Sequence, residues 1–345
     1  MTHEELLTQA LAHDDYELTA HLLSLKADVN FKVDDKYTLL TYYYFVSLDN
    51  NRELDTRIVE ALMQAGADYR EAFFLGIRTD NKEFLTLLIK NGADINMRYG
   101  GFSPLSVAMM ESKDSKINIS MIEFLAKNGA NVNELFSTED ETIATPLNVS
   151  IAIDRPDIAR ILIKYGADVN RLDSRARTPL FYAAVTSNKI LRTLLSNGAD
   201  PNKQGQEGRT PLMLALMDGE SEGAIIKSLL EFGADPNIQD NSGMTALMWV
   251  IITRDRAPYF LINALIRTGG FRAKGWKTWC MIPEIYLAVK RKIQLMNIKI
   301  LLDNGADVRI KNHEGMTALT YAATYFDDEI SEMLINAGTK ATQNK

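Results

Sequence analysis

The chain has 345 residues, of which 46% are apolar and 24% are charged, a balance typical of folded globular proteins. Intrinsic disorder requires low hydrophobicity and high net charge, so the composition excludes a disordered chain. The formal net charge of −7 gives no overall attraction to nucleic acid or to anionic lipid. The single cysteine, Cys280, excludes an intrachain disulfide and suits a reducing compartment. We expect neither a classical signal peptide nor a membrane span, because no apolar run approaches roughly 18 residues.

One phrase recurs along the chain: an apolar pair, two variable residues, and then Gly-Ala-Asp-x-Asn. Clear copies are LMQAGADYR from Leu62, LIKNGADIN from Leu88, LAKNGANVN from Leu125, LIKYGADVN from Leu162, LLSNGADPN from Leu194, LLEFGADPN from Leu229 and LLDNGADVR from Leu301. Weaker copies start at Leu22, Leu265 and Leu334. The glycines at 129, 166, 198, 233, 269, 305 and 338 lie 32 to 37 residues apart, which indicates a structural repeat.

A second phrase, Thr-Pro-Leu or a close variant, follows most copies of the first. It occurs from Ser103, Thr145, Thr178, Thr210, Thr245 and Thr317. A Thr hydroxyl can cap free N–H groups, and Pro is tolerated at the first helical position, so this phrase predicts a helix start. The glycine of the first phrase predicts a helix end in the left-handed conformation. Each unit is therefore predicted to contain two helices and a protruding, turn-rich finger, and stacked units bury a continuous core.

The period, Thr-Pro-Leu and Gly-Ala-Asp-x-Asn together resemble the ankyrin repeat over roughly residues 3 to 338. The resemblance implies an all-α fold: an ankyrin-repeat solenoid of stacked helix pairs with β-hairpin-like fingers, curved, with a concave binding face. We predict a single array over residues 1–345 with about ten units. Residues 1–30 form an N-terminal cap repeat, 31–312 the internal repeats, 313–338 a C-terminal cap repeat and 339–345 a tail.

Several units depart from the pattern. The first has Lys26 in place of the glycine, and the second has aromatic residues at 42–45, some of which fill the core while others face the groove. The short third unit, residues 71–96, lacks a finger, so we expect a gap in the finger row. The gap bends the array or admits part of a partner, and the alternative is sequence drift without a function. The finger after Asn133 is longer and acidic, with Glu134, Glu139, Asp140 and Glu141.

The ninth unit has an atypical finger at 269–283, which reads GGFRAKGWKTWCMIP. Trp and Arg are common hot spots of protein interfaces, and this finger carries two tryptophans and three basic residues. The alternative is that the tryptophans fold under a distorted finger and complete the core.

In ankyrin proteins, partners contact finger tips and exposed positions of the first helices. Carried over residue by residue, the candidate partner-binding residues are Tyr37, Phe102, Arg175, Arg177, Thr186, Arg209, Met244, Arg272, Lys274, Trp276, Lys277, Trp279, Met316 and Tyr325. Basic residues outnumber acidic ones in the later fingers, which predicts a protein partner that has an acidic segment. The alternative is that these Lys and Arg residues only keep exposed loops soluble. The asparagines at 96, 170, 202 and 237 also match the position that asparaginyl hydroxylases modify in the family.

No residues are predicted to catalyse a reaction or to bind a cofactor or metal. The four histidines are His3, His13, His21 and His313, and no Cys/His cluster has the spacing of metal ligands. We therefore predict that the protein is not an enzyme. One alternative is an enzyme that uses the atypical unit around Cys280, and another is a nucleic-acid binder that uses the basic C-terminal fingers.

The predicted function is that of a protein–protein interaction scaffold that acts by tethering, masking or inhibiting a partner. An array without a second domain also resembles the effectors of intracellular microbes. We predict a cytoplasmic protein, or one delivered to a host cytosol without a classical signal peptide. A monomer is favoured, without membrane insertion, and the oligomeric state is left open.

Overall fold

A computed structural model describes the chain over residues 2–110, 118–137, 142–218, 223–253 and 282–343. The contacts divide the chain into two compact units. The first unit comprises residues 1–136 and 164–166, and the second comprises residues 137–163 and 167–345.

The first unit consists of helix pairs and one short hairpin. Its elements are α1 His3–His13, α2 Tyr16–Ser24, β1 Lys32–Val33, β2 Tyr37–Thr38, α3 Leu39–Asp49, α4 Thr56–Gln64, α5 Arg70–Arg78, α6 Lys82–Lys90, α7 Pro104–Met109 and α8 Ile119–Lys127. The strands β1 and β2 are antiparallel, with Lys32 opposite Thr38 and Val33 opposite Tyr37. First helices contact first helices along the row α1, α3, α5 and α7, and second helices contact one another along the row α2, α4 and α6. The apolar residues between these two rows form the core.

The second unit repeats this arrangement. Strand β3 (Phe136–Ser137) falls at the division between the units in the sequence. The elements that follow are β4 Ile143–Ala144, α9 Pro146–Ala152, α10 Pro156–Lys164, α11 Pro179–Ala183, α12 Asn188–Ser196, α13 Pro211–Asp218, α14 Gly223–Glu231, α15 Ala246–Ile252, α16 Ile282–Asp303, α17 Ala318–Thr324 and α18 Asp328–Gln343. The first helices α9, α11, α13, α15 and α17 stack in order, while α12, α14 and α16 stack on the other side. The predicted solenoid of stacked helix pairs is confirmed.

The helix starts follow the Thr-Pro phrase. The hydroxyl of Thr145 accepts a hydrogen bond from the N–H of Asn148 at 3.2 Å, and Pro146 is the first residue of α9. Ser103 caps α7 in the same way, through the N–H of Ser106 at 3.0 Å. These bonds satisfy helix N–H groups that have no partner within the helix. The predicted helix starts are therefore confirmed at these positions, although Thr178 makes no such bond.

The predicted helix ends are also confirmed at most glycines. Gly129 has a φ of 95°, in the left-handed region that glycine adopts without steric cost. Lys26 takes the same conformation, with a φ of 61°, where the first unit lacks the glycine. Gly338 is different, because α18 continues through it to Gln343. The two positions that hold Asp and Asn after the regular glycines are occupied by Lys340 and Thr342, so the turn that ends the other helices is not favoured where we predict the tail to begin.

Helix α16 differs most from the sequence prediction. We predict a finger up to residue 283 and then two separate helices, but residues 282–303 form one helix of 22 residues. Between Glu284 and Asp303 the chain has no Gly or Pro and is rich in Leu, Ile and Lys. Because most of these residues favour a helix and none breaks one, the chain does not turn there.

Candidate protein-binding surfaces

Asparagine side chains connect each turn to the next. The Asn202 side-chain amide donates to the carbonyl oxygen of Gly233 at 2.9 Å and accepts from the N–H of Asp235 at 2.7 Å. The equivalent donation runs from Asn30 to Gly66, from Asn96 to Gly129, from Asn133 to Gly166, from Asn170 to Gly198 and from Asn237 to Gly305. These bonds form an asparagine ladder within each unit, and the ladder sets the spacing of the fingers.

The ladder joins turns that are far apart in the sequence at one place. Asn237 donates to Gly305, which lies 68 residues further along the chain, at 3.0 Å. The N–H of Asp307 donates back to Asn237 at 2.7 Å, so the contact has the same two bonds as the step at Asn202. The finger after Gly233 therefore stacks directly on the finger after Gly305. The predicted repeat that ends at Gly269 falls largely on residues 254–281, which lie outside the described part of the chain.

The predicted residues of the atypical finger cannot be placed on this ladder. Residues 254–281 lie outside the described part of the chain. They include Arg272, Lys274, Trp276, Lys277 and Trp279, as well as Cys280. Their role in binding, and the alternative of an enzyme around Cys280, remain predictions from the sequence.

Three fingers of the second unit share a polar pair that sequence reasoning missed. Asp173 begins one finger and accepts a hydrogen bond from the hydroxyl of Tyr182 at 2.6 Å. Asp240 accepts from the indole N–H of Trp249 at 2.8 Å, and the side-chain amide of Asn312 donates to the Tyr321 hydroxyl at 2.8 Å. In each case the aromatic residue lies nine positions after the polar one. The pair is therefore recognisable in the sequence as Asp or Asn followed nine residues later by Tyr or Trp.

Two predicted contact residues, Arg177 and Arg209, lie on these aromatic rings. The guanidinium of Arg177 lies 4.6 Å from the centre of the Tyr182 ring, and that of Arg209 lies 4.9 Å from the centre of the Trp249 ring. Arg177 also pairs with the buried carboxylate of Asp173 at 2.9 Å. Both arginines are half-buried, so they support the finger row while presenting one edge to solvent.

The other predicted residues of the second unit differ in exposure. Arg175 and Thr186 are exposed, Tyr325 is 38% exposed, and Met316 is half-buried. Met244 is 5% exposed, so the prediction that it contacts a partner is wrong for the free protein. Its sulfur lies 3.6 Å from the side-chain amide nitrogen of Asn312 and 3.5 Å from the Tyr321 hydroxyl. The next finger covers Met244 because the ladder places residues 312–321 directly against it.

Phe326 is a candidate that sequence reasoning missed. It is 92% exposed and has a φ of 52°, in the left-handed region. The corresponding turns of other helix pairs place Asp14, Asp80 and Asp154 in this conformation. Asp and Asn tolerate it, whereas a bulky aromatic residue does so at a cost in free energy. An exposed aromatic side chain next to Tyr325, held in a strained turn, is a candidate contact for a partner.

We expect Phe326→Asn to raise the free energy of unfolding by about 1 kcal/mol, because asparagine adopts the left-handed region at lower cost. Thermal unfolding followed by circular dichroism measures the change. Tyr325→Asn is the matched control, since Tyr325 has an ordinary φ of −89°. An equal gain in both variants would show that backbone strain at Phe326 is not the cause.

The first unit presents an aromatic surface beside its fingers. Tyr37, a predicted contact residue, is half-buried and stacks on Phe45 with a ring distance of 5.9 Å. Phe102, also predicted, is 44% exposed and pairs with Tyr99 across a tight turn. Tyr99 in turn lies 5.8 Å from the ring of Phe74 on α5. Within the first unit, these rings form a surface on both sides of α5.

The missing finger of the third repeat is confirmed. Helix α5 begins at Arg70, directly after the turn that contains Gly66. Tyr69 takes part of the role of the missing asparagine, because its hydroxyl accepts from the N–H of Asp94 at 3.0 Å. The turns therefore stay connected at this step although no finger is present.

In the acidic finger of the first unit, the carboxylate of Glu134 is buried. Glu134 accepts a hydrogen bond from the Ser103 hydroxyl and lies 3.7 Å from the guanidinium of Arg98. Its side chain is only 9% exposed, and burial raises the pKa of Glu134 against the opposing effects of these two partners. Glu134 therefore connects two fingers, while residues 138–141, including the other three acidic residues, lie outside the described part.

The described residues include no group of three or more His, Cys, Asp or Glu side chains that could hold a metal ion. Among the helices of the described ranges, none combines the length and apolar character needed to cross a membrane.

Comparison with known proteins agrees with this architecture. The family model for ankyrin repeats matches residues 118–205 and 190–269, with three copies. This chain contains ankyrin repeats. The match overlaps the regular asparagine ladder of the second unit and extends into the residues that the structure does not describe.

Two relatives share part of this ankyrin-repeat chain. An ankyrin repeat protein of fowlpox virus (strain NVSL) is 32% identical over 193 residues, which cover 53% of this chain and 51% of the relative. Inversin of Gallus gallus is 46% identical over 56 residues, which cover 16% of this chain and 5% of the relative. The chain thus matches about half the length of the viral relative and a small fraction of inversin.

Proposed function

We propose that this ankyrin-repeat protein is a scaffold that binds a protein partner and acts by tethering, masking or inhibiting it. The observation that carries the proposal is the finger row of the second unit, where the asparagine ladder joins successive turns and backbone hydrogen bonds join three pairs of neighbouring fingers. The N–H of Ser174 donates to Ile143 at 2.8 Å, that of Asn241 to Glu207 at 2.9 Å, and that of His313 to Ser242 at 3.2 Å. Such a connected row is a rigid surface, and rigidity lowers the entropic cost of binding.

The charges along this row favour a partner with an acidic segment. Arg175, Lys203 and Lys311 are exposed, and they belong to three different fingers of the second unit. Asp173 and Asp240, by contrast, are buried, with their carboxylates engaged in bonds to their own fingers. Two of the four acidic residues of these fingers are thus buried, while Glu207 and Glu314 are exposed, and the basic residues at the tips support electrostatic steering of an acidic partner.

We expect the triple variant Arg175→Glu, Lys203→Glu and Lys311→Glu to weaken partner binding at least about tenfold, mainly through a slower association rate. The partner is first isolated by photo-crosslinking from residue 175, and binding is then measured at two salt concentrations. The control variant reverses the charge of three other residues by substitution with Glu. These are Lys189, Lys227 and Lys299, which are exposed on the second helices α12, α14 and α16. The two variants carry the same net charge.

An equal loss of partner binding in both variants would show a general charge effect, and it would contradict a binding site on the fingers. Capture of RNA or DNA in place of a protein would favour the nucleic-acid alternative, which also predicts a steep salt dependence. The similarity to both a viral and a vertebrate protein supports neither source over the other, so the effector role and the cytoplasmic location remain predictions.

A further inference from the structure

In the second unit, the first helices carry almost no charge. The sequences of α9, α11, α13, α15 and α17 contain a single charged residue, Asp218 at the end of α13. The second helices α10, α12, α14 and α16 instead expose a cation at equivalent positions, two residues before a buried leucine, namely Arg160, Arg192, Lys227 and Lys299. Each row buries one face in the shared core, so contact with water alone does not explain why only one row is charged.

The uncharged face continues from one first helix to the next. Tyr182 of α11 and Trp249 of α15 occupy equivalent positions, and each bonds to the finger before its helix, through Asp173 and Asp240. Residues three positions further along lie on the same helix face, one turn away from the fingers. In the order α9, α11, α13 and α15, these residues are Ala152, Val185, Met217 and Ile252. We call these four residues the apolar row.

The apolar row is accessible and continuous. Ala152 and Val185 are exposed, while Met217 and Ile252 are half-buried. Val185 lies just past α11, where its N–H still bonds to the carbonyl oxygen of Tyr182 at 3.3 Å. Because α9, α11, α13 and α15 stack in order, the four residues follow one another along the stack. Contiguous apolar surface of this kind marks a site of interaction.

Cations border the apolar row on the side of the fingers. Arg177 and Arg209 lie on the rings of α11 and α15 that contact the fingers, at 4.6 and 4.9 Å from the ring centres. Arg175 and Lys203 are exposed on the same two fingers, and the exposed Glu207 pairs with Arg209. An apolar strip with cations along one edge is complementary to an apolar strip with acidic residues along one edge.

A helix fits this surface better than an extended segment does. The backbone groups of the first helices are bonded within the helices, so the row offers side chains and no edge to pair with. An extended segment would bury unpaired N–H and C=O groups against it, whereas a helix satisfies its own. The spacing also matches: packed helices lie about 8–10 Å apart, and seven residues of a helix rise about 10.5 Å and return to nearly the same face.

We infer that the apolar row binds an amphipathic helix of the protein partner, which places an apolar residue against each repeat, one every seven residues, and acidic residues beside the fingers. This site rests on the proposed function, in which the fingers bind a protein, and it adds the structure of the bound segment and the residues that contact it.

The test uses random peptides of about 21 residues, the length of three heptads, displayed on their own mRNA and selected on the full chain. We expect enriched peptides with apolar residues at heptad spacing and acidic residues along one flank. Their affinity should fall at least about tenfold with Val185→Asn, the size of a typical interface hot spot. Ile335→Asn is the matched control, because Ile335 is 52% exposed but lies on α18 among the second helices, and it should leave the affinity unchanged. Circular dichroism first shows that both variants are folded.

Photo-crosslinking decides whether the bound peptide is a helix. Crosslinking groups are placed at residues 185 and 217, which belong to neighbouring repeats, and the labelled peptide positions are found by mass spectrometry. A helix along the row is labelled at positions about seven residues apart, whereas an extended segment covers the same distance in about three residues. Proline in the middle of the peptide should abolish binding, because it breaks the helix.

Three results would overturn the inference. They are the absence of any enriched peptide that depends on Val185, equal losses with Val185→Asn and Ile335→Asn, and crosslinks about three residues apart. Peptides that lose binding with the charge reversal at Arg175, Lys203 and Lys311 but tolerate Val185→Asn would refute the apolar row while supporting the proposed function. Failure to crosslink any protein from residue 175 would instead count against the proposed function itself.

Discussion

Asp240→Ala is expected to lower the free energy of unfolding by about 3 kcal/mol, because it leaves buried donors without an acceptor. Asp240 is 6% exposed, and its carboxylate accepts from the N–H groups of Ser242 at 2.8 Å and Met244 at 2.9 Å. It also accepts from the indole N–H of Trp249 at 2.8 Å. Urea unfolding followed by circular dichroism measures the loss.

The chain offers its own control for this variant. Asn312 occupies the same place in the next finger, accepts from the N–H groups of Glu314 and Met316, and donates to the hydroxyl of Tyr321. Asp240→Asn alone would set an amide N–H against the indole N–H of Trp249, so we expect it to be destabilising. Adding Trp249→Tyr supplies a hydroxyl that can accept, as in the Asn312 pair, and should recover part of the loss.

A double variant less stable than Asp240→Asn would contradict the proposed equivalence of the two pairs. If Asp240→Ala lowers the free energy of unfolding by less than about 1 kcal/mol, water replaces the carboxylate. The site of Asp240 is then more accessible to water than its low exposure indicates.

Asn202→Ala is expected to lower the free energy of unfolding by about 2 kcal/mol, because both bonds of one ladder step are lost. The carbonyl of Gly233 and the N–H of Asp235 lose partners at 2.9 and 2.7 Å. Hydrogen exchange should accelerate at Asp235 in particular. The consequence is local because each repeat contacts only its neighbours.

Asn197→Ala in the same repeat is the matched control. The amide of Asn197 donates to the carbonyl of Thr193 within its own helix, at 2.8 Å, and connects no second turn. We expect its effect to stay within about 0.5 kcal/mol, as for most surface substitutions. Similar losses for both asparagines would refute the view that the ladder stabilises the stack.

Much of the fold could be predicted because its signals are local. The caps at Ser103 and Thr145 bond to N–H groups three residues away, and Gly129 ends its helix through its own φ. The absence of a finger before α5 could be read from the spacing of Gly66 and Gly92. Each of these features depends on a few adjacent residues, so a repeating phrase was sufficient to indicate it.

The candidate surfaces were harder to predict because exposure depends on distant residues. Met244 follows a finger turn, as contact residues do in the family, yet the finger that begins at Asn312 covers it. Phe326 lies in a position that favours Asp or Asn, and only its exposure and φ together make it a candidate. For Arg177 and Arg209 the sequence predicted a contact role, but the rings beneath them became visible only in the structure.

The sequence by itself determined the repeat, the helix starts, most helix ends and the place of the missing finger, because these depend on capping, backbone conformation and spacing. The tertiary structure decided which turns are neighbours. The bond from Asn237 to Gly305 spans 68 residues, and no local preference encodes it. The stacking free energy comes from contacts between surfaces that are far apart in the chain. The order in which repeats stack is therefore settled only when those surfaces pack. The same packing decides which surface a partner meets.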